Sequence, residues 1–305
     1  MTDDEMTGTP AFEQLRAIAW PLPPGAHSAP RWTGDGFIVD GRPVPVLQNR
    51  VGDTGWNDDL AALVEAEVSA ERPIGIASRR YAIESLARYG AIRPDGIIME
   101  IGCASGYLLG ELRRRSAEVG LIGCDYALQP LLGLAERLRG IPLLQLDLGQ
   151  SSLPGRMCDA VVMQNVLEHI EDDAVALREV ARLLRPNGLL VLEVPAGPQF
   201  YDSFDRLVGH FRRYRMRELT AKVRDAGFEI LDRSHLGFLA YPAFWLLKRY
   251  GKLRGGDQGP DYVLRTLRAG RAGPLQRAVA QLESALRPYL PMPIGIRCLL
   301  TARVK

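Results

Sequence analysis

The sequence is poor in cysteine, and none of its four, Cys103, Cys124, Cys158 and Cys298, stands in a C-x-x-C pair. That spacing argues against a zinc site and against a disulfide framework, so no metal is expected and a reducing, cytoplasmic setting is. Lysine is equally scarce, confined to Lys222, Lys248, Lys252 and Lys305. Arginine carries the rest of the positive charge, a bias that reflects coding-sequence composition more readily than a phosphate-binding surface. With a net charge of only +2, bulk electrostatics give no argument for a nucleic-acid partner. Long apolar runs are missing too. The longest, "LGFLAYPAFWLL", falls short of the roughly 20 residues of a membrane span and contains Pro242. The opening "MTDDEMTGTP" is acidic and polar, unlike a secretory leader. What is present is a 305-residue chain, 47% apolar and 24% charged, long enough to bury one full core with attachments.

Residues 1–30 are rich in Pro, Gly and Ala around one amphipathic piece, "AFEQLRAIAW", and read as a loosely ordered leader. "GFIVDGRPVPVL" follows, where Asp40-Gly41 between extended residues signals a hairpin whose prolines at 43 and 45 place its second strand at an edge. Helical patterns come next in "NDDLAALVEAEVSA" and in "SRRYAIESLARYG", the latter with Ser78 as N-cap and Gly90 just past its end. From Ile97 onward, apolar runs at 97–101, 120–124, 142–146, 158–163 and 188–194 alternate with helical periods near 105–117, 128–139, 171–184 and 215–226. Such alternation predicts an α/β fold with a doubly wound, mostly parallel sheet. "GFEILDRSHLGFL" and the terminal "IRCLLTARVK" read as two further strands separated by helical sequence, so the last strand is expected to run antiparallel. The expected organisation is an N-terminal extension over 1–72 and a main domain over 73–305, with a helical cap inserted at about 240–294.

"IIMEIGCASGYLLGEL" is a strand, a glycine turn and a helix start. Counted from Gly102, a G-x-G-x-x-G dinucleotide fingerprint would need glycines where Ala104 and Tyr107 stand. The pattern present is E-x-G-x-x-x-G, with Glu100, Gly102 and Gly106. It suits a smaller ligand with an amino-acid tail, whose carboxylate can be served by the free N–H groups of the helix start. Twenty-five residues after Glu100, "LIGCDYA" puts Asp125 at a strand end, where a carboxylate can accept both ribose hydroxyls. Asp147 ends the next strand in "LLQLDLGQSSLP". Singly, either acid is as well explained as a turn former or helix cap.

Together these stations resemble the class I S-adenosylmethionine-dependent methyltransferases, in particular the small-molecule type of ubiquinone and menaquinone biosynthesis, over roughly 74–239 and the final strand. The resemblance implies a Rossmann-like sheet of seven strands and S-adenosylmethionine as cofactor. It places Glu100, Gly102, Ala104 and Gly106 around the methionine part, although many members carry a glycine where Ala104 stands. It likewise places Asp125 at the ribose, Tyr126 among the cofactor-binding residues, Asp147 and Leu148 at the adenine, and Asn165 near the transferable methyl.

"DAVVMQNVLEHIEDD" brings Gln164, Asn165, Val166 and His169 to the end of the fourth of these strands. It contains no N-P-P-Y quartet and no Pro-Cys pair, so modification of DNA bases is not expected. Methyl transfer is a one-step displacement in which the protein chiefly aligns reactants and excludes water, with a base helping when the nucleophile is a hydroxyl. Histidine suits that task, and the candidates are His210 and His169. Arg213 and Tyr214, in "GHFRRY" beside Arg212, are candidates for holding substrate. The bland alternatives are a cap for each histidine and ion pairs for the arginines. "YPAFWLLKRYGKLRG" mixes aromatic, aliphatic and basic residues, and suits either a cap over a hydrophobic acceptor or a peripheral lipid contact through 240–252. The expected activity is methylation of a small or lipid-like acceptor, most readily at oxygen. The rivals are a non-catalytic cofactor-binding or membrane-associated partner protein and an NAD-dependent oxidoreductase.

Overall fold

The computed structural model describes residues 9–49, 72–253, 273–287 and 289–305. Its centre is an eight-stranded sheet built of β4 (Leu47–Asn49), β5 (Ile97–Ile101), β6 (Gly120–Asp125), β7 (Leu143–Leu146), β8 (Cys158–Gln164), β9 (Leu184–Pro195), β10 (Phe228–Leu236) and β11 (Arg297–Val304). The spatial order is β10-β11-β9-β8-β5-β6-β7-β4. Strands β5 to β9 pair parallel, while β11 pairs antiparallel with both β9 and β10. Burial on both faces explains the composition: every residue of β5, β6 and β7 is buried, as expected of central parallel strands covered by helices. The seven expected strands are all present. The eighth, β4, joins parallel to β7 and extends the sheet at that edge.

Helices α2 (Pro73–Arg88), α3 (Tyr107–Arg115), α4 (Leu128–Arg137), α5 (Asp173–Leu183), α6 (Ser203–Leu207) and α7 (Met216–Asp225) follow in chain order after α1 (Pro10–Ala17). α2 starts with Pro73 at its first turn, so Ser78 is an interior residue and not the N-cap; its hydroxyl lies 2.9 Å from the Ile74 carbonyl and from Glu193. Proline is pre-organised for that first turn, which is why the helix begins five residues earlier than the serine suggests. Gly90 does close it, at φ 77°. α5 opens at Asp173 with Asp172 capping the Val175 N–H, later than the predicted 171.

Residues 9–30 of the leader are ordered, against expectation. α1 is capped by Thr9 and buries Ala11, Phe12 and Leu15. The hairpin of β2 (Phe37–Val39) and β3 (Arg42–Val44) turns through Asp40 and Gly41, both at positive φ, and β1 (Arg31–Trp32) completes a small separate sheet. Aromatic residues decide the outcome: Phe12, Trp20, Trp32 and Phe37 are buried in one cluster with Ile97, Met99, Ile122 and Leu144 of the main sheet. The helix expected in "NDDLAALVEAEVSA" lies outside the described residues. Of the expected insertion, α8 (Tyr241–Leu253) and α9 (Pro274–Leu286) are seen. α9 lies along α2, and its buried Glu283 accepts the Gly237 and Leu239 N–H groups. Among the described residues no helix is long and apolar enough to cross a membrane.

Candidate active site

The site lies where β5, β6, β7 and β8 end, the edge at which open α/β sheets bind ligands. Gly102 and Gly106 take φ of 77° and 69°, and Ala104 between them takes 41°. Their N–H groups tie the turn down: Gly102 and Cys103 donate to the Cys124 carbonyl at 2.8 and 2.9 Å, and Ala104 donates to Asp125 at 2.8 Å. A side chain at either glycine would collide with a neighbour. A Cβ on Gly102 would sit 2.3 Å from Val166 Cγ2, and one on Gly106 would sit 2.4 Å from Leu134 Cδ1. α3 then starts with Gly106 as its cap and no side chain covering its first turn.

Glu100 is buried beneath this turn, and its Oε2 has no hydrogen-bond partner. Burial, and then the neighbouring Asp125 charge, pushes its carboxyl up to about 8. Asp125 accepts from Ala104 on one oxygen and from Ala127 on the other. The Tyr126 carbonyl takes the Gln145 side chain at 3.1 Å. Asp147 closes β7 and accepts the Gly149 N–H at 2.9 Å, while Leu148 beside it is buried. Asn165 stands at φ 55° at the end of β8, its side chain donating to Glu193 at 3.2 Å. Glu193 is itself buried and also meets Ser78, Gln164 and Arg297. Sequence reasoning did not single out Glu193 or Arg297; an acid inside the apolar strand "LLVLEVP" is the signal that was available.

After Val166 the chain makes a 3-10 turn, Leu167–His169. His169 and His210 meet edge to face, with ring centroids 4.6 Å apart. Burial first, and the His210 charge second, push the His169 pKa down to about 3, against a hydrogen bond with the Gly209 backbone. His210 Nδ1 lies 2.7 Å from Asp205 Oδ1, and its Nε2 lies 3.9 Å from Glu168 Oε1. Burial opposes ionisation of Asp205, but His210 and Arg213 outweigh it and hold the carboxyl down at about 2. Asp205 was also missed from the sequence, although D-S-F-D forms a capping box with Asp202. Glu168 is fully buried with neither carboxylate oxygen hydrogen-bonded.

The two residues expected to hold substrate have internal partners. Arg213 is buried, with Nε 2.8 Å from both oxygens of Asp205. The buried Tyr214 hydroxyl donates towards the Leu167 carbonyl and Asp173, and Asp173 pairs with Arg212 and Lys222. Both therefore brace the wall that carries the histidines. All four cysteines are buried and free, as ordinary apolar residues.

Residues 76–233 match the model of a family described as a methyltransferase domain. A probable S-adenosylmethionine-dependent methyltransferase of Mycobacterium tuberculosis is 32% identical over 133 residues, covering 43% of this chain and 48% of that protein. A relative of the same description in Mycolicibacterium smegmatis is 31% identical over 140 residues, covering 44% of this chain and 52% of that protein. The chain thus spans about half the length of these curated relatives. Among solved structures, a chain of the complex between the Haloferax volcanii Trm112 methyltransferase activator and its partner superposes with a TM-score of 0.52 at 18% identity, covering 84% of this chain and 99% of that one. At that identity the likeness is one of fold.

Proposed function

This chain belongs to the methyltransferase-domain family, whose cofactor is S-adenosylmethionine, and from that premise we propose that it methylates a small-molecule or lipid-like acceptor at oxygen. The observation that carries the proposal is a contact. Val166 closes on Gly102 of the glycine turn, and the same short 3-10 turn leads to His169 and thence to an Asp205-held His210. A cofactor turn and an oriented imidazole are thus neighbours at the strand ends.

The turn residues fit the cofactor. The unpartnered Glu100 oxygen suits the ammonium of an amino-acid tail, and the start of α3, which no side chain caps, suits its carboxylate. In this reading Glu100, Gly102, Ala104 and Gly106 hold the methionine part, with its carboxylate at the start of α3. Asp125 accepts the ribose hydroxyls beside Tyr126, Asp147 and Leu148 receive the adenine, and Asn165 borders the reacting centre. When bound, the cofactor supplies an electrophilic methyl group on a sulfonium. The protein's share is alignment, exclusion of water and, for a hydroxyl acceptor, removal of a proton. With Nδ1–H directed at Asp205, Nε2 of His210 is the acceptor atom for that proton, and Asp205 steadies the cation that forms. His169 packs against His210 and limits how its ring turns. An apolar acceptor, or peripheral contact with a lipid surface through 240–252, is supported by the exposed Trp245, Leu246, Leu247 and Tyr250 on α8. That helix is anchored over the loop after β9 by Phe244 on Phe200 and by Lys248 on Asp202.

Calorimetric titration with S-adenosylmethionine, S-adenosylhomocysteine and NAD, repeated on Asp125→Ala, tests the proposal. Both sulfur cofactors should bind and NAD should not, with at least about tenfold weaker binding in the variant, the worth of one charge-assisted hydrogen bond. NAD binding in their place would sink the methyltransferase assignment. Cofactor binding with no S-adenosylhomocysteine released on any hydroxylated acceptor would leave the non-catalytic partner reading ahead.

A further inference from the structure

Glu168 is an acid of the same wall with no role in the proton transfer. It is fully buried, yet both carboxylate oxygens lack a hydrogen-bond partner, and the nearest basic group, His210 Nε2, is 3.9 Å away. A buried carboxylate without partners is costly and persists where something neutralises it. The ion-paired Arg213 and Arg297 already serve Asp205 and Glu193. The cation that Glu168 lacks is therefore not supplied by the described side chains.

Two imidazoles stand beside it. The potential ligand atoms of Glu168, His169 and His210 all lie within 4.8 Å of one another. Metal bonds of about 2.1 Å in a tetrahedral shell put ligand atoms roughly 3.4 Å apart, so the 3.9 Å separation of Glu168 and His210 needs only a small closure. The outer contacts are those that orient ligating imidazoles. His210 gives Nδ1 to Asp205, which Arg213 fixes from the other side, and His169 hydrogen-bonds the Gly209 backbone through one ring nitrogen. We propose that Glu168, His169 and His210 form a divalent metal site on the acceptor side of the methyl-transfer centre. One carboxylate and two imidazoles favour a borderline first-row ion such as Zn²⁺, Co²⁺ or Mn²⁺ over Mg²⁺ or Ca²⁺, which prefer shells of oxygen. Three protein ligands leave positions open for water and for an oxygen of the acceptor. The inference rests on the proposed function for its role, because with the ion bound His210 Nε2 is a ligand and no longer the base.

The test uses the full chain, freed of metal with a chelator and then titrated with Co²⁺, Zn²⁺ and Mg²⁺, following calorimetric heat and the visible absorption of Co²⁺. One equivalent of Co²⁺ or Zn²⁺ should bind in preference to Mg²⁺. Glu168→Gln and His210→Ala should each weaken it by about tenfold or more, and Asp205→Asn by about 10–100-fold as an outer contact. S-adenosylmethionine titrated into the same metal-free samples separates the two claims. If the cofactor binds and neither metal does, the metal site is wrong and the methyltransferase reading stands. Metal binding that the variants leave intact, with melting curves showing them folded, would overturn the site as well. Should Glu168→Gln fail to fold, His210→Ala decides alone.

Discussion

Glu100 and Glu168 show how single buried acids tie stability to pH. Both carboxyls are pushed from 4.5 up to about 8 by burial, so the folded protein binds protons that the unfolded chain releases over that window. Stability then falls as pH rises through it. Buried histidines act the other way: the pKa of His169 drops from 6.5 to about 3 and that of His235 also falls, each largely through burial. Their contribution is present above 6.5 and is lost as pH falls below it. The two effects oppose each other below pH 6.5, and above it only the carboxyls act among these groups. The melting temperature of metal- and cofactor-free protein should therefore fall between pH 6.5 and 8. Glu100→Gln should remove about half of that fall, since Glu168 keeps its share. A wild-type profile that is flat or rising over this range would show that Glu100 carries no such shift.

At the scale of elements, the glycine turn separates conformation from packing. Gly102 and Ala104 both sit at positive φ, but only Gly102 faces a wall, Val166, at a distance no Cβ tolerates. Gly102→Ala should cost about 1–3 kcal/mol from overpacking and backbone strain together, and should abolish detectable cofactor binding. Ala104→Gly removes a left-handed alanine but frees the unfolded chain, two terms of about 1 kcal/mol that nearly cancel, so its stability should stay close to wild type. Chemical denaturation of the two variants checks this, and equal losses would mean that strain alone governs the turn. The turn was legible because its residues are local: strand, glycines and helix start follow each other in "IIMEIGCASGYL". The strand-end acids were legible for the same reason. Residues whose role depends on distant partners were not. Asp205 and Glu168 gain their meaning only when the segment 203–214 folds back on 167–173, where Phe211 N–H meets the Glu168 carbonyl. The expectation of no metal came from cysteine spacing, and the proposed grouping of a carboxylate with two histidines from separate segments leaves no such pattern.

At the scale of the whole molecule, the N-terminal residues act as part of the core. Phe12 and Trp32 pack with ring centroids 5.0 Å apart, Trp20 meets Phe37 edge-on, and Gln14 bridges Arg185 and the Asp95 carbonyl. These contacts lie at the strand starts around Gly96, Ile97 and Gly120, the end of the sheet opposite the glycine turn. Composition suggested a loose leader because it is rich in Pro, Gly and Ala, and its Phe12 and Trp20, packed on Trp32 and Phe37 that follow it, outweigh that average once the main sheet gives them a surface to cover. Burying an aromatic of this kind is worth about 3–5 kcal/mol on truncation to alanine. Phe12→Ala should therefore lower the stability of the whole chain by that amount in one cooperative transition, with the S-adenosylmethionine dissociation constant of the folded fraction unchanged. A separate low-temperature transition, with the main melt left in place, would mean instead that residues 9–49 form a unit of their own. Phe12 and the glycine turn lie far apart and share no partner, so a variant at one should leave the other's measurement intact.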